Sequence, residues 1–314
     1  MDNDVPREGR IAWIFPGQGS QQVGMGRVLY ASSPAARALF DTADNVLGRP
    51  LAQLCFEGPD DVLRQTINTQ PAVFTVSLAC LRAAQERGDF VSPPVCVAGH
   101  SLGEYAAAVA ADALSFEGGL RLVQERGKLM QAAGEQNPGT LAALLGANEE
   151  AARQLCAATG VEIANINSAE QIVLGGGLDA VQQATEQARS VGAKRAALLN
   201  VSGAFHTSLM QPAATGMAEA LTGADLRELA VPLIANGSGA AITTAQQLRE
   251  ELVYQITHPV QWLKSVECML AQGVERFVEF GPGQVLVGLV RRIDASAICQ
   301  SCGEAELLAE TAQT

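Results

Sequence analysis

Short apolar runs, each ended by glycine and followed by a stretch with helical spacing, set the pattern of this chain. Ile11 to Phe15 reads as a buried strand that stops at Pro16-Gly17-Gln18-Gly19-Ser20, a turn whose glycines allow close backbone approach. Residues 71–87 read as an apolar helix, and Val95–Ala98 as the next strand. Phe277–Phe280, then Gly281-Pro282-Gly283, then Val285–Val290 repeat the strand–turn–helix order near the C-terminus. Strands alternating with helices predict an α/β fold with a parallel sheet covered on both faces.

The middle of the chain has a different order. Thr140–Leu145 is a predicted strand, Glu149–Ala158 a helix and Val161–Ile166 a strand. Gln171–Leu174 follows as a strand, Asp179–Val191 as a helix and Lys194–Leu199 as a last strand. That βαββαβ order is the signature of a ferredoxin-like unit. It predicts an inserted subdomain over 138–200, between two parts of one body, 1–137 and 201–314. Gly175-Gly176-Gly177 fits neither a P-loop nor a dinucleotide fingerprint and is read as a loop. The first nine and last ten residues read as frayed tails.

At 314 residues, 48% hydrophobic and 17% charged, the chain can bury a sizeable core. Its formal net charge of −12 argues against nucleic acid or an anionic membrane as the main partner. The polar N-terminus lacks the apolar segment of a signal peptide, and no apolar run reaches membrane-spanning length. A cytoplasmic, monomeric protein is the expectation. The 7 cysteines are scattered, which suits reduced thiols packed as small hydrophobes. Cys299 and Cys302 form a CxxC with no second pair, so neither metal nor cofactor is expected there.

Gly99-His100-Ser101-Leu102-Gly103 is the most informative motif. Gly-x-Ser-x-Gly between an apolar strand and a helix marks a nucleophile elbow. The glycines let the two backbones pass closely, and the serine projects at the helix N-terminus, where free N–H groups stabilise an oxyanion. A serine nucleophile needs a base, and the chain has 3 histidines. His100 neighbours Ser101, so the two side chains should diverge. His258 precedes Pro259, which restricts its backbone. His206 lies in a loop of small residues, Ser202 to Ser208, where the chain leaves the insert, and is the favoured base. No carboxylate stands out as a third triad member, which leaves a backbone carbonyl to fix the imidazole tautomer.

Arg126 falls on the apolar stripe of a helix read from Phe116 to Ala133, between Leu122, Val123, Leu129 and Met130. An arginine there is costly unless paired, and its planar fork matches a carboxylate; a snorkelling side chain or an internal salt bridge is the plainer account. Gln18 could lend a backbone N–H to an oxyanion hole alongside Leu102, but taken alone a strand-capping turn is the better account of it.

These segments together resemble the malonyl-CoA:acyl carrier protein transacylases of bacterial fatty acid and polyketide synthesis. The matching pieces are Phe15 to Gln21, Thr69-Gln70-Pro71-Ala72, Gly99 to Tyr105, Arg126-Gly127 with Met130-Gln131, and Phe205-His206 with Leu209-Met210. Gln255, Pro259 to Trp262 and Gly281 to Leu286 complete them, in family order over roughly residues 10–293. The resemblance implies an α/β-hydrolase-like body with a ferredoxin-like insert, and a ping-pong transfer from malonyl-CoA to an acyl carrier protein. It implies Ser101 as nucleophile, His206 as base oriented by the Gln255 carbonyl, and Gln18 and Leu102 N–H groups as oxyanion hole. Arg126 would hold the free malonyl carboxylate, and Phe205 beside the histidine suggests malonyl over methylmalonyl.

The chain departs from the family pattern at Ala169-Glu170, where many relatives carry Pro-Gly, and Gly203 is a position that varies with substrate. An editing hydrolase on carrier thioesters and a transacylase for a substituted malonyl donor are the alternatives. Carrier proteins are usually acidic, so docking on this acidic chain needs a local basic patch. Lys194-Arg195 and Arg291-Arg292 are the candidates.

Overall fold

The computed structural model describes residues 10–90 and 92–304; the expected tails lie outside them. Among the described residues ten strands form in chain order: β1 (Ile11–Phe15), β2 (Cys96–Gly99), β3 (Gly139–Leu145), β4 (Glu162–Ser168), β5 (Gln171–Gly177) and β6 (Arg195–Leu198), then β7 (Leu233–Ile234), β8 (Ala241–Ile242), β9 (Arg276–Phe280) and β10 (Ile298–Cys302). They make two sheets. The larger runs β10-β9-β1-β2-β7-β8 and is parallel except for its last pair.

Both faces of the larger sheet are buried, as its continuous apolar strands predict. Trp13, Phe15, Val97, Val278 and Phe280 enter one core, with the helices Thr66–Glu86 and Phe116–Gln136 contributing Phe74, Leu120 and Val123. Ala12, Ile14, Cys96, Ala98 and Phe277 enter the other, against Trp262, Val266, Leu286 and Val290. At the C-terminal end of β9, buried Glu279 accepts from the N–H groups of Leu286 and Val287, satisfying the start of the helix Val285–Ile293.

The smaller sheet runs β4-β5-β3-β6, antiparallel throughout, and its chain order is strand, helix, strand, strand, helix, strand. Its helices Glu149–Thr159 and Leu178–Gln187 cover one face, packing Leu155 and Val181 with Leu144, Ile172 and Leu174. The other face gives Leu141, Ala164 and Val173 to the main core, so the two sheets share packing. Val260 seals the join, exchanging backbone hydrogen bonds with Ala164 and Ile166 at 3.0 and 2.8 Å.

Three expectations are corrected. The triglycine is not a loop: Gly175, Gly176 and Gly177 pair with Leu141, Thr140 and Gly139 inside β5. Ladder bonds on both sides of the strand outweigh glycine's poor strand preference, and a Cβ on Gly175 would come within 2.8 Å of Thr207 Cγ2 beside His206. The helix read from residue 71 begins at Thr66 and carries Pro71 inside it; the carbonyl of Ile67, which Pro71 cannot use, accepts from Arg49. The helix read over Asp179–Val191 tightens to a 3₁₀ turn at Ala188–Val191.

Candidate active site

β2 ends at Gly99 and the helix Gly103–Ala110 starts four residues on, so the chain reverses within His100, Ser101 and Leu102. A Cβ on Gly99 would lie 2.0 Å from the carbonyl carbon of Gly103, and one on Gly103 would lie 2.1 Å from the Phe15 carbonyl oxygen. Only glycine fits either place. Ser101 at the apex has φ 53°, in the left-handed region that a side chain enters under strain. The expected elbow is therefore present. The Pro16–Ser20 turn lies against it, with a Cβ on Gly17 only 2.6 Å from the His100 carbonyl oxygen.

The Oγ of Ser101 is 2.7 Å from Nε2 of His206, across 105 residues of sequence. Nδ1 of His206 is 2.6 Å from the carbonyl oxygen of Gln255, which can only accept. The proton therefore sits on Nδ1, and Nε2 presents its lone pair to the serine hydroxyl. Burial, with the Arg126 charge adding to it, pushes the imidazole down to about 3, so it is neutral near pH 7. His206 also holds a left-handed φ of 60°. Both members of the pair sit on strained backbone that the packing around them fixes.

The other histidines turn away. His100 Nε2 pairs with Asn167 Oδ1 at 2.9 Å, and His258 stacks on Tyr254 with ring centroids 3.5 Å apart. The hairpin tip Ala169-Glu170, where the chain departs from the family pattern, lies beyond Asn167.

Arg126, 1% exposed, reaches the same place from the helix Phe116–Gln136. Its Nη2 donates to Ser101 Oγ at 3.0 Å and to Gln255 Oε1 at 2.7 Å, and its Nη1 donates to Gln70 Oε1 at 2.8 Å. The Tyr105 ring lies 5.7 Å from the guanidinium carbon, within cation–π range. The snorkelling and ion-pair accounts do not hold: no carboxylate pairs with this cation among the described residues, and only neutral oxygens accept from it.

The N–H groups of Gln18 and Leu102 donate to no group among the described residues. The Gln18 side chain is tied to Thr66, whose hydroxyl meets that of Ser202. Phe205 is buried directly before His206, and a Cβ on Gly203 would lie 3.3 Å from its ring.

Three further residues carry the site and escaped the sequence. Asn236, after β7, accepts the Ser101 N–H at 2.7 Å and donates to the Gly99 carbonyl at 2.7 Å. Glu104, fully buried on the elbow helix, accepts from the Asn236 backbone N–H and Nδ2 at 2.8 Å each and from Gln255 Nε2 at 2.9 Å. Gln70 holds the far end of Arg126. Glu104 and Gln70 lie within matched segments, where a buried polar type was the available signal. Asn236 stands in a segment with no motif.

Lys194 and Arg195, and likewise Arg291 and Arg292, are exposed. Cys299 and Cys302 lie on β10, and among the described residues no cluster of three metal-ligating side chains forms. No described helix is long and apolar enough to cross a membrane.

A serine hydroxyl on an elbow of an α/β fold, bonded to an imidazole, is an arrangement that can activate the hydroxyl as a nucleophile. Comparison with known proteins narrows the class. Residues 12–306 match the acyl transferase domain family. The malonyl CoA-acyl carrier protein transacylase of Bacillus subtilis (strain 168) is 43% identical over 290 residues, 91% of this chain and 90% of that protein. The crystal structure of the acyl-carrier-protein-S-malonyltransferase from Bartonella henselae superposes with a TM-score of 0.91 at 42% identity, over 96% of this chain and 98% of that one. A malonyl-transacylase in complex with its type II PKS acyl-carrier protein gives 0.91 at 37% identity, over 97% and 100%. The chain belongs to the acyl transferase domain family, and it is an acyltransferase.

Proposed function

We propose that this acyltransferase moves a malonyl group from malonyl-CoA to the phosphopantetheine thiol of an acyl carrier protein, with Ser101 as nucleophile and His206 as base. The relatives named above carry that activity in their names, and one of them is described in complex with its carrier protein. The observation that carries the reading is the convergence on one oxygen. Ser101 Oγ has the His206 lone pair at 2.7 Å and the Arg126 guanidinium at 3.0 Å.

In the first half-reaction Nε2 of His206 takes the hydroxyl proton as Oγ attacks the thioester carbon. The carbonyl oxygen becomes an oxyanion, and the unused N–H groups of Gln18 and Leu102 fit it as donors. The tetrahedral intermediate collapses, the carbon–sulfur bond breaks, and the histidine returns its proton to the CoA sulfur. In the second half-reaction the carrier thiol gives its proton to the same nitrogen and its sulfur attacks the ester. The serine leaves with that proton, and the malonyl group has changed thiols. The Gln255 carbonyl holds the imidazole throughout.

Arg126 is the group for the free malonyl carboxylate: a buried cation whose partners are all neutral favours a substrate bearing the opposite charge. An acetyl group would leave that cation desolvated and unmatched, so the acetyl ester should form poorly. Phe205 narrows the space beside His206 and favours malonyl over substituted donors. In this reading the body is α/β-hydrolase-like, residues 1–137 and 201–314, and the βαββαβ unit of 138–200 is a ferredoxin-like insert whose loops wall the site.

Intact-mass measurement after mixing with malonyl-CoA tests the reading. Wild type should gain one malonyl group and lose it when holo carrier protein is added. Ser101→Ala should gain none. Labelling of that variant, or hydrolysis to free malonate in place of transfer to the carrier, overturns the proposal.

A further inference from the structure

Gln255 and Asn236 both carry amides, and an amide serves a site only if its oxygen and nitrogen point the right way. Gln255 must turn Oε1 to Arg126, 2.7 Å from Nη2, and Nε2 to the Ser101 carbonyl at 3.1 Å. Asn236 must turn Oδ1 to the Ser101 N–H and Nδ2 to the Gly99 carbonyl. One side chain contacts both amides on the nitrogen side. Glu104 Oε2 accepts from Gln255 Nε2 at 2.9 Å, and Oε1 accepts from Asn236 Nδ2 and from its backbone N–H. A carboxylate only accepts, so it selects one sense for each amide.

We propose that Glu104 is a positioning residue of the acyl-transfer site, which sets the direction of the Gln255 and Asn236 amides and through them the placement of Arg126 and of the Ser101 elbow. Glu104 lies three residues after the nucleophile, fully buried, and touches neither Ser101 Oγ nor His206 in any hydrogen bond. Its reach is through others. With the carboxylate in place, the only sense open to Gln255 gives Arg126 an acceptor. With the opposite sense, an amide N–H would face a guanidinium N–H, and the cation would lose its closest partner. The arrangement also keeps one negative charge behind Gln255, on the far side from Arg126, so charge is balanced in the pocket while the guanidinium face toward Ser101 stays open to a substrate carboxylate.

Glu104→Gln tests this. The variant keeps the shape but offers one oxygen and one NH2 where three donors now converge, so at least one donor meets a donor. The proposal rests on the acyl-transfer reading, and the measurements separate the two. Single-turnover acylation by malonyl-CoA and by acetyl-CoA is followed by intact mass, with folded protein counted by near-UV circular dichroism. The expected result is a loss of malonyl-over-acetyl preference of about tenfold or more in folded Glu104→Gln. The conservative variant Glu104→Asp keeps an accept-only carboxylate on the elbow helix, leaves Arg126 without an ion partner, and should recover part of that preference. Glu104→Gln that loses rate only in proportion to its folded fraction, with preference intact, overturns the proposal. So does a Glu104→Asp variant no more selective than Glu104→Gln, or one that, like it, fails to fold. Wild type that is not acylated by malonyl-CoA at all sinks the acyl-transfer reading instead.

Discussion

The guanidinium Nη2 of Arg126 lies 3.0 Å from the Oγ of Ser101, with no intervening side chain. The cation therefore meets the proposed nucleophile before any substrate arrives. In the proposed transfer, an ester on Oγ makes that oxygen a poorer acceptor, and the N–H it released can turn to the carboxylate three bonds further along a malonyl group. On that proposal one residue has a partner in both the free and the acylated enzyme, which limits the cost of keeping a charge buried there.

Arg126→Ala should lower malonyl transfer by about a hundredfold or more, the scale set by leaving a substrate charge unpaired in a dry pocket. Acetyl transfer should stay level or rise, since the desolvated cation that opposed it is gone. Steady-state kcat/KM for the two CoA esters checks this. Equal loss with both donors would remove Arg126 from substrate selection.

Gly103→Ala should destabilise by more than about 3 kcal/mol or prevent folding, because backbone cannot withdraw as a flexible side chain can. The new Cβ would sit 2.1 Å from the Phe15 carbonyl oxygen, inside the central sheet. Urea unfolding followed by tryptophan fluorescence measures it. Gly160→Ala is the contrast: its Cβ meets nothing within 4 Å, so only the positive φ of 77° at a helix end opposes it, a cost of about 1 kcal/mol.

The buried imidazole of His206 gives the protein an acid-side dependence. Its folded value of about 3 lies below the ordinary 6.5, so the unfolded chain binds a proton that the folded one refuses. The stability from this group is complete above about pH 6.5 and is lost as pH falls toward 3. Between pH 7 and pH 5 wild type should lose about 2 kcal/mol more than His206→Asn, read from urea midpoints at each pH. Identical pH dependence in the two proteins would contradict a neutral buried histidine.

Glu251 works at the other end. Burial, and then the Glu104 charge, push its carboxyl well above the usual range. Glu104 accepts from Gln255 and Asn236, which stabilise its anion, whereas Glu251 accepts the Gly237 N–H through a single oxygen, Oε1. Of the two, Glu251 keeps the proton. A raised folded value means the folded state holds a proton the unfolded state releases, so stability falls as pH rises above about 4.5. Glu251→Gln should remove most of that fall, gaining about 2 kcal/mol or more on wild type between pH 5 and pH 8. An unchanged slope would show that the pair is not the source.

The apolar runs of β1, β2 and β9 and the βαββαβ order of the middle were legible because their periods are local. A strand buried on both faces has to be apolar throughout, and a strand–glycine–serine–glycine–helix sequence can turn in few ways. The same locality made Ser101 legible, and with it the glycines of its elbow. Strands of two residues, such as β7 and β8, leave no period to read. Pro71 looked like a helix start because its lost hydrogen bond is a local fact, while the Arg49 side chain that takes up the freed carbonyl comes from elsewhere in the chain. The triglycine looked like a loop for the same reason: what keeps it extended is β3 on one side and β4 on the other.

Residue types and order alone therefore determined the α/β architecture, the elbow and the list of side chains able to do chemistry. Folding in three dimensions decided which of three histidines meets the serine, that the Gln255 carbonyl holds it, and that Glu104 and Asn236 stand behind the pair. Those are contacts across 105, 49, 151 and 135 residues of chain. No short-range pattern encodes such distances, because they are fixed only when two sheets and their helices pack into one body and bring the ends of distant strands to the same place.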